Sequence, residues 1–110
     1  MADYYQDQDL ERFGELGKYR PELYDLFMNY YQLVMAEGAL TSREKALIAL
    51  AVAHTVQCPY CIDAYTRGSL EAGSNLEEMT EAVHVAAAIL GGAALVHGVQ
   101  MHNAAAKLSL

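Results

Sequence analysis

From Ala82 to Val99 the chain runs through eighteen residues, AVHVAAAILGGAALVHGV, without a formal charge. A bilayer-spanning helix needs about 20 predominantly apolar residues, so the run is marginal in length. It is rich in Ala and Gly, it carries His84 and His97, and no Lys/Arg cluster flanks it. We therefore expect a buried helix, broken near Gly91-Gly92, and not a membrane span. A second segment, ALIALAVA at residues 46–53, is apolar on every side of a helix, which calls for burial on every side. The whole chain has 110 residues, of which 54% are hydrophobic. That length fits one domain spanning residues 1–110, and one small domain encloses little of such a helix pair. The expectation is a homo-oligomer whose subunits cover one another.

The remaining punctuation is helical. Only two prolines occur, Pro21 and Pro59, and each opens a helical pattern; no alternating β-run is present. The fold class read from this is all-α, with about six helices. A short helix covers about Gln8 to Leu16. A second starts at Pro21, with Leu23, Leu26, Phe27, Tyr30, Tyr31 and Val34 at helical spacing, and stops at Gly38. Thr41 and Glu44 have capping-box spacing ahead of SREKALIALAVAHT, and Asn75 and Glu78 repeat it ahead of NLEEMTEAVHVAAAI. Pro59 suits the first helical position, which makes Cys58 an N-cap. A last helix runs from about Gly92 to Lys107.

Formal net charge is −7 with seven Lys and Arg scattered along the chain. No basic patch for nucleic acid or an anionic membrane results. Two cysteines three residues apart close only a tiny loop, which excludes a disulfide-stapled mini-protein. The N-terminal MADYYQDQDLERF has no signal-peptide pattern, so the expected compartment is cytoplasmic and reducing.

In that setting Cys58-Pro59-Tyr60-Cys61 is the informative feature. At i and i+3 on a first helical turn, the two Cα atoms lie ~5–6 Å apart, within disulfide range. Unpaired N–H groups and the positive dipole end favour a thiolate there. A thiolate attacks peroxides or disulfides, and a neighbouring thiol resolves the intermediate. The alternative is half a zinc site, which His54 and His84 would have to complete. His54 is a candidate proton relay, or else a histidine favoured by a helix C-terminus. Glu44 is fully accounted for as a capping acid. Tyr65 shares a helical face with Cys61 and could hydrogen-bond the sulfur, or simply pack. His84, His97 and His102 read as core or interface histidines. Ser69 and Ser109 lack a partner pattern for nucleophilic catalysis.

The segment TSREKALIALAVAHTVQCPYCIDAYTRGSLEAGSNLEEMTEAVHVAAA resembles the carboxymuconolactone decarboxylase / alkylhydroperoxidase D superfamily. The shared pattern is a REK-led apolar helix, a CxxC at the next helix start, then G-x-x-x-E-E-x-x-E-A. FGELGKYRPEL, CPYCIDAYT and GGAALVHGVQMHN are further similar to the arsenosugar biosynthesis-associated peroxidase-like proteins of that group. The resemblance implies an AhpD-like helical domain assembled as trimers or hexamers. It implies thiol-dependent peroxidase activity without metal or haem, fed by a dithiol or protein reductant. It makes Cys61 the attacking and Cys58 the resolving cysteine, whereas the capping argument activates Cys58 more directly. The family's relay places a Glu twelve residues before the first Cys and a His four after the second. Here those positions are Ala46 and Tyr65, which leaves Glu44 and His54 as substitutes. The lactone decarboxylases proper lack the CxxC pair, which disfavours decarboxylation. The other function class is a binding protein whose two thiolates hold a metal ion or trivalent arsenic.

Overall fold

The computed structural model describes residues 4–108; Ser109 lies outside them. Among these residues the chain is all-helical, as expected. A 3₁₀ helix, Leu10–Gly17, precedes five α-helices: α1 Pro21–Met35, α2 Ser42–Thr55, α3 Pro59–Glu71, α4 Leu76–Val96 and α5 Gly98–Lys107.

Local chemistry explains most boundaries. Pro21 and Pro59 open α1 and α3 where a missing N–H costs nothing. Both expected capping boxes are present. Thr41 Oγ1 accepts the Glu44 N–H and Glu44 Oε1 accepts the Thr41 N–H. Asn75 Oδ1 accepts the Glu78 N–H and Glu78 Oε1 accepts the Asn75 N–H. The second carboxylate oxygen of Glu78 pairs with Arg43, so the acid that caps α4 also ties it to α2. At the far end of α1, Lys45 Nζ reaches from α2 to the Val34 and Ala36 carbonyls, 2.6 Å from each. These are orphan acceptors of a helix terminus, met by a cation.

α2 is the central element, packed against both α3 and α4. Its buried stripe is Ala46, Leu50 and Ala53, with Met79 and Ala86 of α4 opposite, and Leu50 is only 2% exposed. The other side of ALIALAVA is open: Ile48 and Val52 are about half exposed within one chain. The apolar run of α4 behaves the same way, with Ile89 67% and Leu95 81% exposed. The expectation that these helices are buried is therefore not met inside a single subunit. Nor does the chain break at Gly91-Gly92. Two helical glycines cost about 1 kcal/mol each, but the surrounding Ala and Leu are strong helix formers. α4 runs through to Val96 and the interruption falls at His97, directly before Gly98.

α4 and α5 form an extended arm that is long and apolar enough to cross a membrane by length and composition. The Cα radius of gyration is 18.9 Å, against about 13 Å for a compact chain of this length. The accessible surface is 8743 Å², against about 6,000 Å² for a compact monomer of this mass.

Candidate active site

The turn between α2 and α3 places the cysteines. α2 ends in a Schellman-type closure in which the Cys58 N–H reaches back to the Ala53 carbonyl at 3.1 Å. The residue that must be left-handed in this closure is Gln57, with φ +53°. The next turn, α3 to α4, uses the same closure from Ser74 to Ser69, but there the left-handed residue is Gly73. Gln57 thus accepts a conformation that glycine adopts freely. Cys58 then serves both helices. Its N–H closes α2, and its Sγ caps α3 by accepting the Cys61 N–H at 3.2 Å.

Cys58 and Cys61 are joined as a disulfide with a Cα separation of 5.2 Å. Both are half-buried. Cys61 borders three cavities, of about 460, 620 and 280 Å³, while Cys58 borders only the first. The first lies under the N-terminal 3₁₀ helix, between Leu10, Phe13 and Leu16 on one side and the cysteine turn on the other. The second opens between α1, α2 and α3, past Val34, Ile48 and Val52. Tyr65 borders the second and third cavities alongside Cys61, so the structure brings these two together as the i, i+4 spacing implied. Tyr31 stands with them in both, and burial raises its phenol pKa.

Glu44 and His54 do not border any of those three cavities. Glu44 is occupied at the N-terminus of α2, where its carboxylate accepts from both the Thr41 N–H and hydroxyl. Those bonds, led by the backbone one and aided by Arg43, lower its pKa. A proton acceptor for thiol chemistry needs the opposite shift. Ten residues of helix rise also separate Glu44 from His54 by about 15 Å. His54 is half-buried at the other end, with Nδ1 2.8 Å from the Leu50 carbonyl. A carbonyl only accepts, so Nδ1 carries a proton and donates it there. His84, His97 and His102 are exposed. Among the described residues no three His, Cys, Asp or Glu side chains are grouped closely enough to hold a metal ion.

One feature of the site has no sequence-local signal. The Tyr60 hydroxyl, between the two cysteines, donates to Asp9 Oδ2 at 3.1 Å from fifty-one residues away. Tyr60 is held neutral to higher pH, chiefly by burial and then by this carboxylate.

Residues 21–104 match the carboxymuconolactone decarboxylase family. This chain belongs to that family. The match spans α1 to most of α5 and begins after the 3₁₀ helix. Among relatives, the uncharacterized protein 4 in the cox locus of Paracoccus denitrificans is 39% identical over 97 residues, covering 88% of this chain and 87% of that one. An uncharacterized Haemophilus influenzae protein is 38% identical over 53 residues, 48% of this chain and 47% of that one. A crystal structure from Methanobacterium thermoautotrophicum superposes with a TM-score of 0.73 at 36% identity, over 77% of this chain and 98% of the other. The apo form of a carboxymuconolactone decarboxylase family protein from Legionella pneumophila gives 0.59 at 27% identity, over 84% and 90%. The family and the all-helical fold expected from the sequence are thus both established.

Proposed function

We propose that this family member is a thiol-dependent peroxidase whose redox centre is the Cys58–Cys61 pair. The observation that carries the reading is the placement of a bonded cysteine pair at the start of α3, with Cys61 facing three cavities. In the reduced protein the Cys61 thiolate attacks one peroxide oxygen. An S–O bond forms, the O–O bond breaks, and the departing oxygen leaves as an alcohol or water after taking a proton. Cys58 then attacks the sulfur of the Cys61 sulfenic acid, forming the disulfide and releasing water. An external dithiol returns both thiols by exchange and is itself oxidised to a disulfide. Cys58 suits the resolving role because the Cys61 N–H and the α3 dipole stabilise its thiolate. Tyr65, which lines two of those cavities with Cys61, is the side chain we assign to hydrogen-bond a group bound there.

The test is peroxide consumption with a small dithiol donor, comparing wild type with Cys61→Ser and Cys58→Ser. Loss of turnover in both variants is expected; unchanged turnover in both would overturn the reading. Retention of one bound arsenite per reduced chain, without turnover, would instead favour a thiolate-binding protein.

We also propose that the open apolar faces are covered by further copies of this chain. About 2,700 Å² of surface beyond that of a compact monomer is the scale of an obligate subunit interface. The charge-free stretch of α4, with Ile89 and Leu95 largely exposed, and the outer side of α2, with Ile48 and Val52, supply it.

A further inference from the structure

The 3₁₀ helix and the residues before it lie across the cysteine turn, ahead of the residues 21–104 that match the family. Their two ends are fastened unequally. At the far end the chain runs directly into α1. There Phe13 meets the Tyr24 ring edge-on at 5.7 Å, and Gly17 lies so close to that ring that a Cβ would stand 3.0 Å from it. At the near end the fastening found among the described residues is one side chain. Tyr60 donates its hydroxyl to Asp9 and meets the Tyr5 ring at 5.5 Å, and Asp9 Oδ2 also holds the Gln6 N–H at 2.8 Å. No residue of the 3₁₀ helix is buried. Below it lies the cavity of about 460 Å³ that both cysteines border.

We propose that residues 5–17 form a hinged outer wall of this cavity, with Tyr60 as its catch, and that the wall sets the size of reagent that reaches the cysteine pair from the side where Cys58 is approached. The hinge is the end packed on Tyr24, and the catch is the Asp9–Tyr60 bond with its Tyr5 contact. The proposal deepens the peroxidase reading by naming the element that limits its substrate. It rests on the cysteine pair being the reactive centre, but not on peroxide being the oxidant. Tyr60 and Asp9 act as positioning residues, since neither needs to touch substrate.

The test uses the oxidised protein and two reductants of its disulfide, a small trialkylphosphine and a bulky sulfonated triarylphosphine. Thiol release is followed by mass spectrometry in wild type, Tyr60→Phe, Asp9→Ala and, as a control on the same wall, Glu15→Gln. In Tyr60→Phe and Asp9→Ala the bulky reagent should gain roughly 2–10-fold over the small one, the population shift for one exposed hydrogen bond. Glu15→Gln should keep the wild-type ratio. Tyr60→Phe retains the ring, so it keeps the test open should Asp9→Ala fail to fold. An unchanged ratio in both catch variants, or equal acceleration by both phosphines, would overturn the proposal. Loss of the peroxidase reading alone would appear as absent peroxide turnover with the phosphine ratio still shifting.

Discussion

The backbone N–H of Cys61 donates to the Sγ of Cys58, so one cysteine of the pair caps the helix that carries the other. The bond survives reduction only if Cys58 sulfur remains a good acceptor, which a thiolate is and a thiol is weakly. We predict that in reduced Cys61→Ser the remaining Cys58 titrates below the ordinary thiol value of about 8.5. Ultraviolet thiolate absorbance against pH measures this. A midpoint at or above the ordinary value would remove the capping argument for Cys58 as resolving thiol.

Glu44 should behave as a cap and not as a relay. Its pKa is lowered by the Thr41 bonds, so it stabilises the fold above the ordinary carboxylate value of 4.5 and loses that contribution as pH falls through the lower folded value. Glu44→Gln should therefore flatten the acid limb of a stability–pH curve followed by urea unfolding. Peroxide turnover in the variant should stay within about 2-fold of wild type, whereas loss of a general base costs about 100-fold or more. Thr41→Ala, which removes the side-chain acceptor, should cost about 1 kcal/mol.

Gln57 is held at φ +53° ahead of the cysteines. Replacing it with Gly removes the Cβ penalty of about 1–2 kcal/mol but adds unfolded-state entropy of about 0.4–1 kcal/mol. Gln57→Gly should thus be neutral or stabilising by up to about 1.6 kcal/mol. Gln57→Val should destabilise by about 1–3 kcal/mol, because a β-branched residue resists this region most. Urea unfolding of the two variants beside wild type gives both numbers.

Self-association is the account's answer to the open faces of α2 and α4. Sedimentation of wild type should give a mass well above the 12.1 kDa chain. Ile89→Glu and Leu95→Glu should shift it toward the single chain and lower Tm, since each site forfeits about 1.5–3 kcal/mol of burial. Flotation of wild type with neutral lipid vesicles, in place of a discrete oligomer, would instead assign the arm to a bilayer.

What the sequence made legible was local. The capping boxes at Thr41/Glu44 and Asn75/Glu78, and Pro59 behind Cys58, depend on residues three apart or fewer, and the structure repeats them. Gly91-Gly92 misled because a glycine pair signals a break only when the neighbours do not sustain the helix, and here they do. The glycine at the real interruption, Gly98, looked no different. Burial of ALIALAVA could not be resolved from pattern alone, since periodicity does not distinguish a subunit's core from its interface. The Asp9–Tyr60 bond joins positions with no shared motif, so only tertiary geometry places the N-terminal segment over the cysteines. Glu44 was the available acid by spacing, but the cap that explains its position also occupies its oxygens.

The central claim is that the Cys58–Cys61 pair is oxidised by peroxide through attack at Cys61. It is tested most directly by intact mass after mixing reduced protein with one equivalent of peroxide. The account predicts that wild type loses two hydrogens, that Cys58→Ser gains one oxygen on Cys61, and that Cys61→Ser stays unmodified on the same timescale. Wild type that remains fully reduced, or oxygen that appears on Cys58 in Cys61→Ser at the wild-type rate, would contradict it.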